Sequence, residues 1–127
     1  MKILLDTNRY GDFCKGVPEA VAAVTSAERV FLPFVVLAEL RAGFRAGTQG
    51  RRNEETLERF LASPRVGVLY ADETTTQTYA GLFAQLRRQG TPIPTNDLWI
   101  ASLAVQHAMP LLSRDAHFDA LPQLLRV

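Results

Sequence analysis

The sequence predicts an α/β fold built on a parallel sheet that is covered by helices on both faces. Two observations carry this. Apolar runs of strand length alternate with helical stretches of about 10 to 15 residues, and right-handed crossovers turn that alternation into a parallel sheet. In addition, the first and last of these runs, residues 2–5 and 111–112, lead into Asp6 and Asp115. Both aspartates therefore fall at strand carboxyl ends, where open parallel sheets bind ligands.

The elements follow in order. Residues 2–5, Lys-Ile-Leu-Leu, form a strand opening into a loop at Asp6. Pro18 suits a helix's first turn, and Ala20, Val21 and Val24 keep helical spacing until about Ser26. Residues 30–32 make a second strand. From Pro33 to about Ala46, Val35, Val36, Leu40 and Phe44 lie on one helical stripe, with Gly47 as its stop. Residues 47–50 are a turn and 54–61 a helix, which Ser63 and Pro64 end. Residues 66–70 give the third strand. In residues 74–88, Tyr79, Leu82, Phe83 and Leu86 follow amphipathic helical spacing, closed by Gly90. Residues 91–95, with two prolines, form a rigid connection. Thr95 or Asn96 then caps a helix to about His107, apolar almost all round between Leu98 and Val105. Residues 111–112 are the fourth strand, and 124–127 add an edge strand.

The composition bounds what this fold does. The 127 residues suit one domain, expected over 1–127, since the chain shows neither an internal repeat nor a linker-like shift in composition. A single cysteine, Cys14, cannot form an internal disulfide and points to a reducing cytoplasm. The opening residues lack the apolar stretch of an export signal, and no run reaches the roughly 20 apolar residues of a membrane helix. With 14 Lys and Arg against 13 Asp and Glu, bulk charge cannot hold nucleic acid. Any such contact must be local.

Four acids stand out. Asp6 and Asp115 follow strands, Glu39 lies within Val-Val-Leu-Ala-Glu-Leu, and Asp97 opens the most apolar helix. A carboxylate at an apolar position costs several kcal/mol unless it is paired or bound to metal. A shared cation accounts for all four, and oxygen ligands without His or Cys select Mg²⁺ or Mn²⁺. Each acid also has a structural reading. Asp97 complements a helix dipole, Asp6 caps a turn, Glu39 turns to solvent or pairs with Arg41 or Arg45, and Asp115 pairs with Arg114 or caps a turn before His117. The joint placement favours one site. Thr7, Asn96 and Ser113 neighbour the acids as orienting groups, while His107 and His117 read as surface or helix-terminal residues.

The strings LLDTN at 4–8, VVLAEL at 35–40, TNDLWIAS at 95–102 and SRDAHFDAL at 113–121 resemble the PIN domain, in particular its VapC-type toxins. The resemblance spans essentially the whole chain and places the family's metal-binding acids on Asp6, Glu39, Asp97 and Asp115. It implies a PIN-like α/β/α sandwich with a small central parallel sheet. It further implies a Mg²⁺- or Mn²⁺-dependent endoribonuclease, catalysis by those four acids, a cognate antitoxin, and a homodimer. His117 stands where relatives often carry Asp, so Asp119 is an alternative to Asp115.

The alternative to cleavage is a PIN-like binding module that grips a protein or RNA without cutting. Receiver and haloacid-dehalogenase domains also set Asp at strand ends. The first needs a late Lys, whereas the only lysines are Lys2 and Lys15. The second needs Asp-x-Asp where this chain has Asp6-Thr7-Asn8. Arg41, Arg45, Arg51, Arg52, Arg59, Arg87 and Arg88 are candidates for phosphate contacts. Phe44, Leu57 and Phe60 suggest an antitoxin groove between the helices that carry them.

Overall fold

The computed structural model describes residues 1–127. Four parallel strands, β1 (Lys2–Leu5), β2 (Arg29–Pro33), β3 (Val66–Leu69) and β4 (Leu111–Leu112), form one sheet in the order β3-β2-β1-β4. Helices α1 (Thr7–Cys14) and α2 (Pro18–Ser26) join β1 to β2, α3 (Phe34–Ala46) and α4 (Gly50–Leu61) join β2 to β3, and α5 (Glu73–Gln89) and α6 (Thr95–Gln106) join β3 to β4. The α/β class predicted from the alternation is the class observed.

The strand order positions the site. The chain steps outward from β1 to β2 to β3, then returns through α5 and α6 to lay β4 on the other side of β1. The order reverses between β1 and β4, which pair through Leu4 with Leu111 and Leu5 with Leu112. A crevice opens at such a reversal, outside the carboxyl ends of the two strands. Asp6 and Ser113 are the first residues beyond those ends.

Ile3, Leu4 and Leu5 are all buried, as expected for a central parallel strand covered on both faces. The core continues through Val30 and Leu32 of β2, Val35, Val36 and Leu40 of α3, and Leu98, Ile100 and Leu103 of α6. No helix is long and apolar enough to cross a membrane.

Several expectations are corrected. The loop after Asp6 is helix α1, which starts at Thr7 and buries only Tyr10 and Asp12. Helix α4 begins at Gly50 rather than at Glu54, and a Cβ on Gly50 would collide with the Phe44 carbonyl oxygen. That close approach permits the tight passage from α3. Neither Thr95 nor Asn96 caps α6. Pro94 holds the cap position, and the helix has no side-chain cap bond. The expected terminal edge strand reduces to a single parallel bridge, Arg126 with Leu111.

Helix α2 has no basic residue in its last turn. Arg65, from the approach to β3, supplies the charge. Its guanidinium donates to the carbonyls of Ala27 at 2.7 Å, Val24 at 3.1 Å and Thr25 at 3.3 Å. These are the orphan acceptors of the helix end, where a cation is favourable. Arg65→Ala is therefore expected to cost about 1–2 kcal/mol in urea denaturation. Arg65→Lys, which cannot reach three carbonyls at once, should recover only part of that.

Candidate metal centre

Asp6 leaves β1 and enters α1 as its N-cap. One carboxylate oxygen accepts the Thr7 N–H at 2.7 Å, and the other accepts the Ser113 hydroxyl at 2.6 Å. The residue is 5% exposed. Ser113 Oγ also accepts the main-chain N–H of Asp115 at 3.0 Å, so this one hydroxyl ties the ends of β1 and β4 together.

Thr7 has a second role. Its hydroxyl donates to Glu39 at 2.8 Å and brings the α3 acid beside the residue that follows Asp6. Asp97 approaches from the first turn of α6. Its Oδ2 lies 3.1 Å from Nδ1 of His117, which is itself 2.9 Å from Oδ1 of Asp115. Donor atoms of Asp97, Asp115 and His117 all fall within 4.8 Å of one another.

The electrostatics show how crowded this corner is. The Asp97 carboxyl is pushed up to about 6, first by burial and then by the charges of Asp115 and Asp6, with His117 partly opposing the rise. Asp97 therefore senses both strand-end acids. A plain helix-dipole complement would be shifted the other way.

The structure thus gathers Asp6, Asp97 and Asp115, with Glu39 attached through Thr7. Asp119 points elsewhere and pairs with Arg126 at 3.1 Å. Glu39 pairs with neither arginine considered for it, since Arg41 binds Glu54. Asp115 does cap the turn before His117, accepting that residue's N–H at 2.9 Å. Asn96 is exposed, and of the three expected orienting groups only Thr7 and Ser113 engage acids.

Two groups of site residues are new. His117, expected on the surface, stands between Asp97 and Asp115. Its only local signal is that it lies two residues after Asp115. The other group is an ion cluster on the flank. Asp12, 8% exposed, accepts Nε and Nη2 of Arg114 at 2.6 and 3.0 Å and Nη1 of Arg9 at 3.2 Å. The Arg114 guanidinium holds the Asp12 carboxyl below the usual range. Arg114 lies between Ser113 and Asp115, so the cluster pins the loop after β4 to α1. Of the arginines considered for phosphate contacts, Arg41 pairs with Glu54 and Arg51 with Glu55.

Comparison with known proteins agrees with this architecture. The PIN-domain family model matches residues 3–124. The VapC ribonuclease Y4jK of Sinorhizobium fredii is 35% identical over 121 residues, which is 89% of this chain and 86% of the relative. The structure of VapBC-1 from nontypeable Haemophilus influenzae superposes with a TM-score of 0.86 at 29% identity, covering 100% of this chain and 97% of the other. VapBC-5 of Mycobacterium tuberculosis, from the VapBC family of toxin–antitoxin systems, superposes with a TM-score of 0.76 at 30% identity over 99% and 98%. A parallel sheet with acids at its order reversal, a family match over nearly the whole chain and a full-length ribonuclease relative lead to one assignment: the chain belongs to the PIN-domain family, among the VapC proteins.

Proposed function

We propose that this protein is the toxin of a toxin–antitoxin pair, a Mg²⁺- or Mn²⁺-dependent endoribonuclease that hydrolyses RNA phosphodiester bonds in the cytoplasm. One observation carries the reading: three carboxylates from three separate elements converge where the strand order reverses, and burial, then the charges of Asp115 and Asp6, push Asp97 up to about 6. Such crowding is unfavourable for a protein with no cation to bind there.

The donor set fits a hard divalent ion, and Asp6, Asp97, Asp115 and Glu39 would hold it. When bound, the ion polarises the scissile phosphate, makes water a stronger nucleophile and offsets charge on the leaving oxygen. The chain's own residues do the rest. Asp6 is locked by Thr7 and Ser113, so its oxygens present fixed lone pairs. Glu39, held by the Thr7 hydroxyl, takes the proton of the attacking water. The water oxygen bonds to phosphorus as the bond to the leaving oxygen breaks.

An antitoxin would silence this site, as the toxin–antitoxin relatives suggest. The seat proposed for it is a cleft of about 380 Å³ between α1, α3 and α4, lined by Tyr10, Leu40, Phe44 and Thr56 among others. Leu57 and Phe60 do not form its lining. Leu57 is fully buried, and Phe60 packs on Tyr10 and Phe13 at ring separations of 5.3 and 5.6 Å. The Tyr10 hydroxyl is buried there without a hydrogen-bond partner, and its burial together with the neighbouring Cys14 raises its pKa. An amphipathic antitoxin segment would find an apolar wall and an unused donor. The toxin itself is taken to pair with a second copy.

The test is incubation of the purified protein with structured RNA, in Mg²⁺ or in EDTA. Cleavage is expected with the metal and is abolished by the chelator. Cleavage in EDTA, or RNA binding without turnover in Mg²⁺, would overturn the proposal.

A further inference from the structure

We propose that His117 is a direct ligand of the divalent cation through Nδ1, which makes this a mixed nitrogen–oxygen site that prefers Mn²⁺ to Mg²⁺. The inference deepens the metal-dependent nuclease reading and rests on it.

Geometry argues first. Nδ1 lies 2.9 Å from Oδ1 of Asp115 and 3.1 Å from Oδ2 of Asp97. Two adjacent ligands of an octahedral ion, each about 2.1 Å from it, stand about 3.0 Å apart. The two separations thus bracket the edge of a coordination octahedron. The ring needs little movement to become a ligand beside the two carboxylates.

The ring is also held in place. The His117 main-chain N–H is fixed on Asp115 at 2.9 Å, and the next residue, Phe118, is 1% exposed in the core. The histidine belongs to a short 3₁₀ turn, Ala116–Ala120, whose entry is capped by Asp115. A histidine so anchored is positioned with the site rather than with the surface, although half of its side chain, 52%, remains exposed.

A ligand role uses the same Nδ1 and carboxylate oxygens that already meet in the contacts of His117 with Asp97 and Asp115. The nitrogen then sets the preference. Mg²⁺ demands oxygen, whereas Mn²⁺ accepts imidazole.

The full chain can be stripped with EDTA, dialysed, and titrated with Mn²⁺ and Mg²⁺ separately by calorimetry. Pulsed electron paramagnetic resonance of the Mn²⁺-loaded protein then reads any directly bound nitrogen. We expect a ¹⁴N coupling typical of bound imidazole and Mn²⁺ affinity at least about tenfold above that for Mg²⁺. The assignment is simple because the chain has two histidines, and the other, His107, caps the far end of α6.

His117→Ala should erase the nitrogen coupling and weaken Mn²⁺ about tenfold while changing Mg²⁺ less than about threefold. His117→Asp, which restores an all-oxygen set, serves as the second variant if the alanine protein folds poorly. It should bind both ions and show no nitrogen coupling. Mn²⁺ bound to the unsubstituted protein without nitrogen coupling overturns the inference while leaving metal-dependent cleavage intact. Equal affinities that His117→Ala does not change overturn it in the same way. Binding of neither ion removes both readings.

Discussion

Asp97→Asn is expected to lower RNA cleavage by about a hundredfold to a thousandfold and, at the same time, to stabilise the metal-free protein at pH 7. The two effects have one cause. The Asp97 side chain is 13% exposed, and its burial, followed by the charges of Asp115 and Asp6, raises its pKa from 3.8 to about 6. A folded pKa above the unfolded one means that the folded state binds this proton more tightly. The contribution is therefore favourable at low pH and is lost as pH rises from about 4 to 6. At pH 7 the ionised carboxylate burdens the fold by about 1–2 kcal/mol, after allowance for screening at the rim of the cleft. Favourable placement in the first turn of α6 returns only about 0.3–1 kcal/mol. Asparagine keeps the shape and an acceptor oxygen for His117 but removes the charge.

Urea melts of both proteins across pH 4 to 7, without metal, should therefore diverge. The difference in stability grows in favour of Asp97→Asn between pH 4 and 6. Reading the difference matters because Asp12 and Asp72, both with lowered pKa values, act in the opposite direction in both proteins. Added Mn²⁺ should restore the advantage to the unsubstituted protein. Activity within tenfold of the original would remove Asp97 from the catalytic set. A lower stability for the variant at pH 7 would make Asp97 a structural residue.

What the sequence discloses and what it hides follow from the range of the interactions. The strands are legible because Ile3, Leu4 and Leu5 are buried on both faces and read as an unbroken apolar run. The same run fixes Asp6 at a strand end. Helix α1 is hidden because its buried face carries Tyr10 and Asp12, and an acid there leaves no apolar stripe to detect. That acid is buried because Arg114, more than a hundred positions away in the chain, binds it with two nitrogens. No local pattern announces such a pair. His117 is hidden for a related reason. It reaches the site through a 3₁₀ turn, whose spacing matches neither the helical nor the strand period used to assign faces. Helix α6 starts one or two residues earlier than a cap at Thr95 or Asn96 implies, because Pro94 takes the cap position. Short-range signals thus locate the acids, and the groups that orient them are set by contacts across the fold.

Phe118→Ala is expected to cost about 3–5 kcal/mol, a large share of the 5–15 kcal/mol typical of a domain. Phe118 is among the largest fully buried side chains, and the Arg126 guanidinium sits 5.7 Å from its ring centre. Its removal leaves a cavity beneath the 3₁₀ turn that carries His117 and is capped by Asp115. The surroundings cannot readily close it, because Leu121 and Leu124 beside it are already packed into the core. Phe118→Leu retains most of the volume and should lose less than about 2 kcal/mol, so it remains folded for functional measurement. That variant separates packing from positioning. If the aromatic ring holds the turn against the core, Phe118→Leu weakens Mn²⁺ binding by more than its stability change would suggest, since His117 and Asp115 loosen together. If instead the turn is held mainly by the Asp115 cap, metal affinity is unchanged. A cost below about 1 kcal/mol for Phe118→Ala would show that the turn is free of the core, and the link between packing at Phe118 and geometry at the metal centre would fall with it.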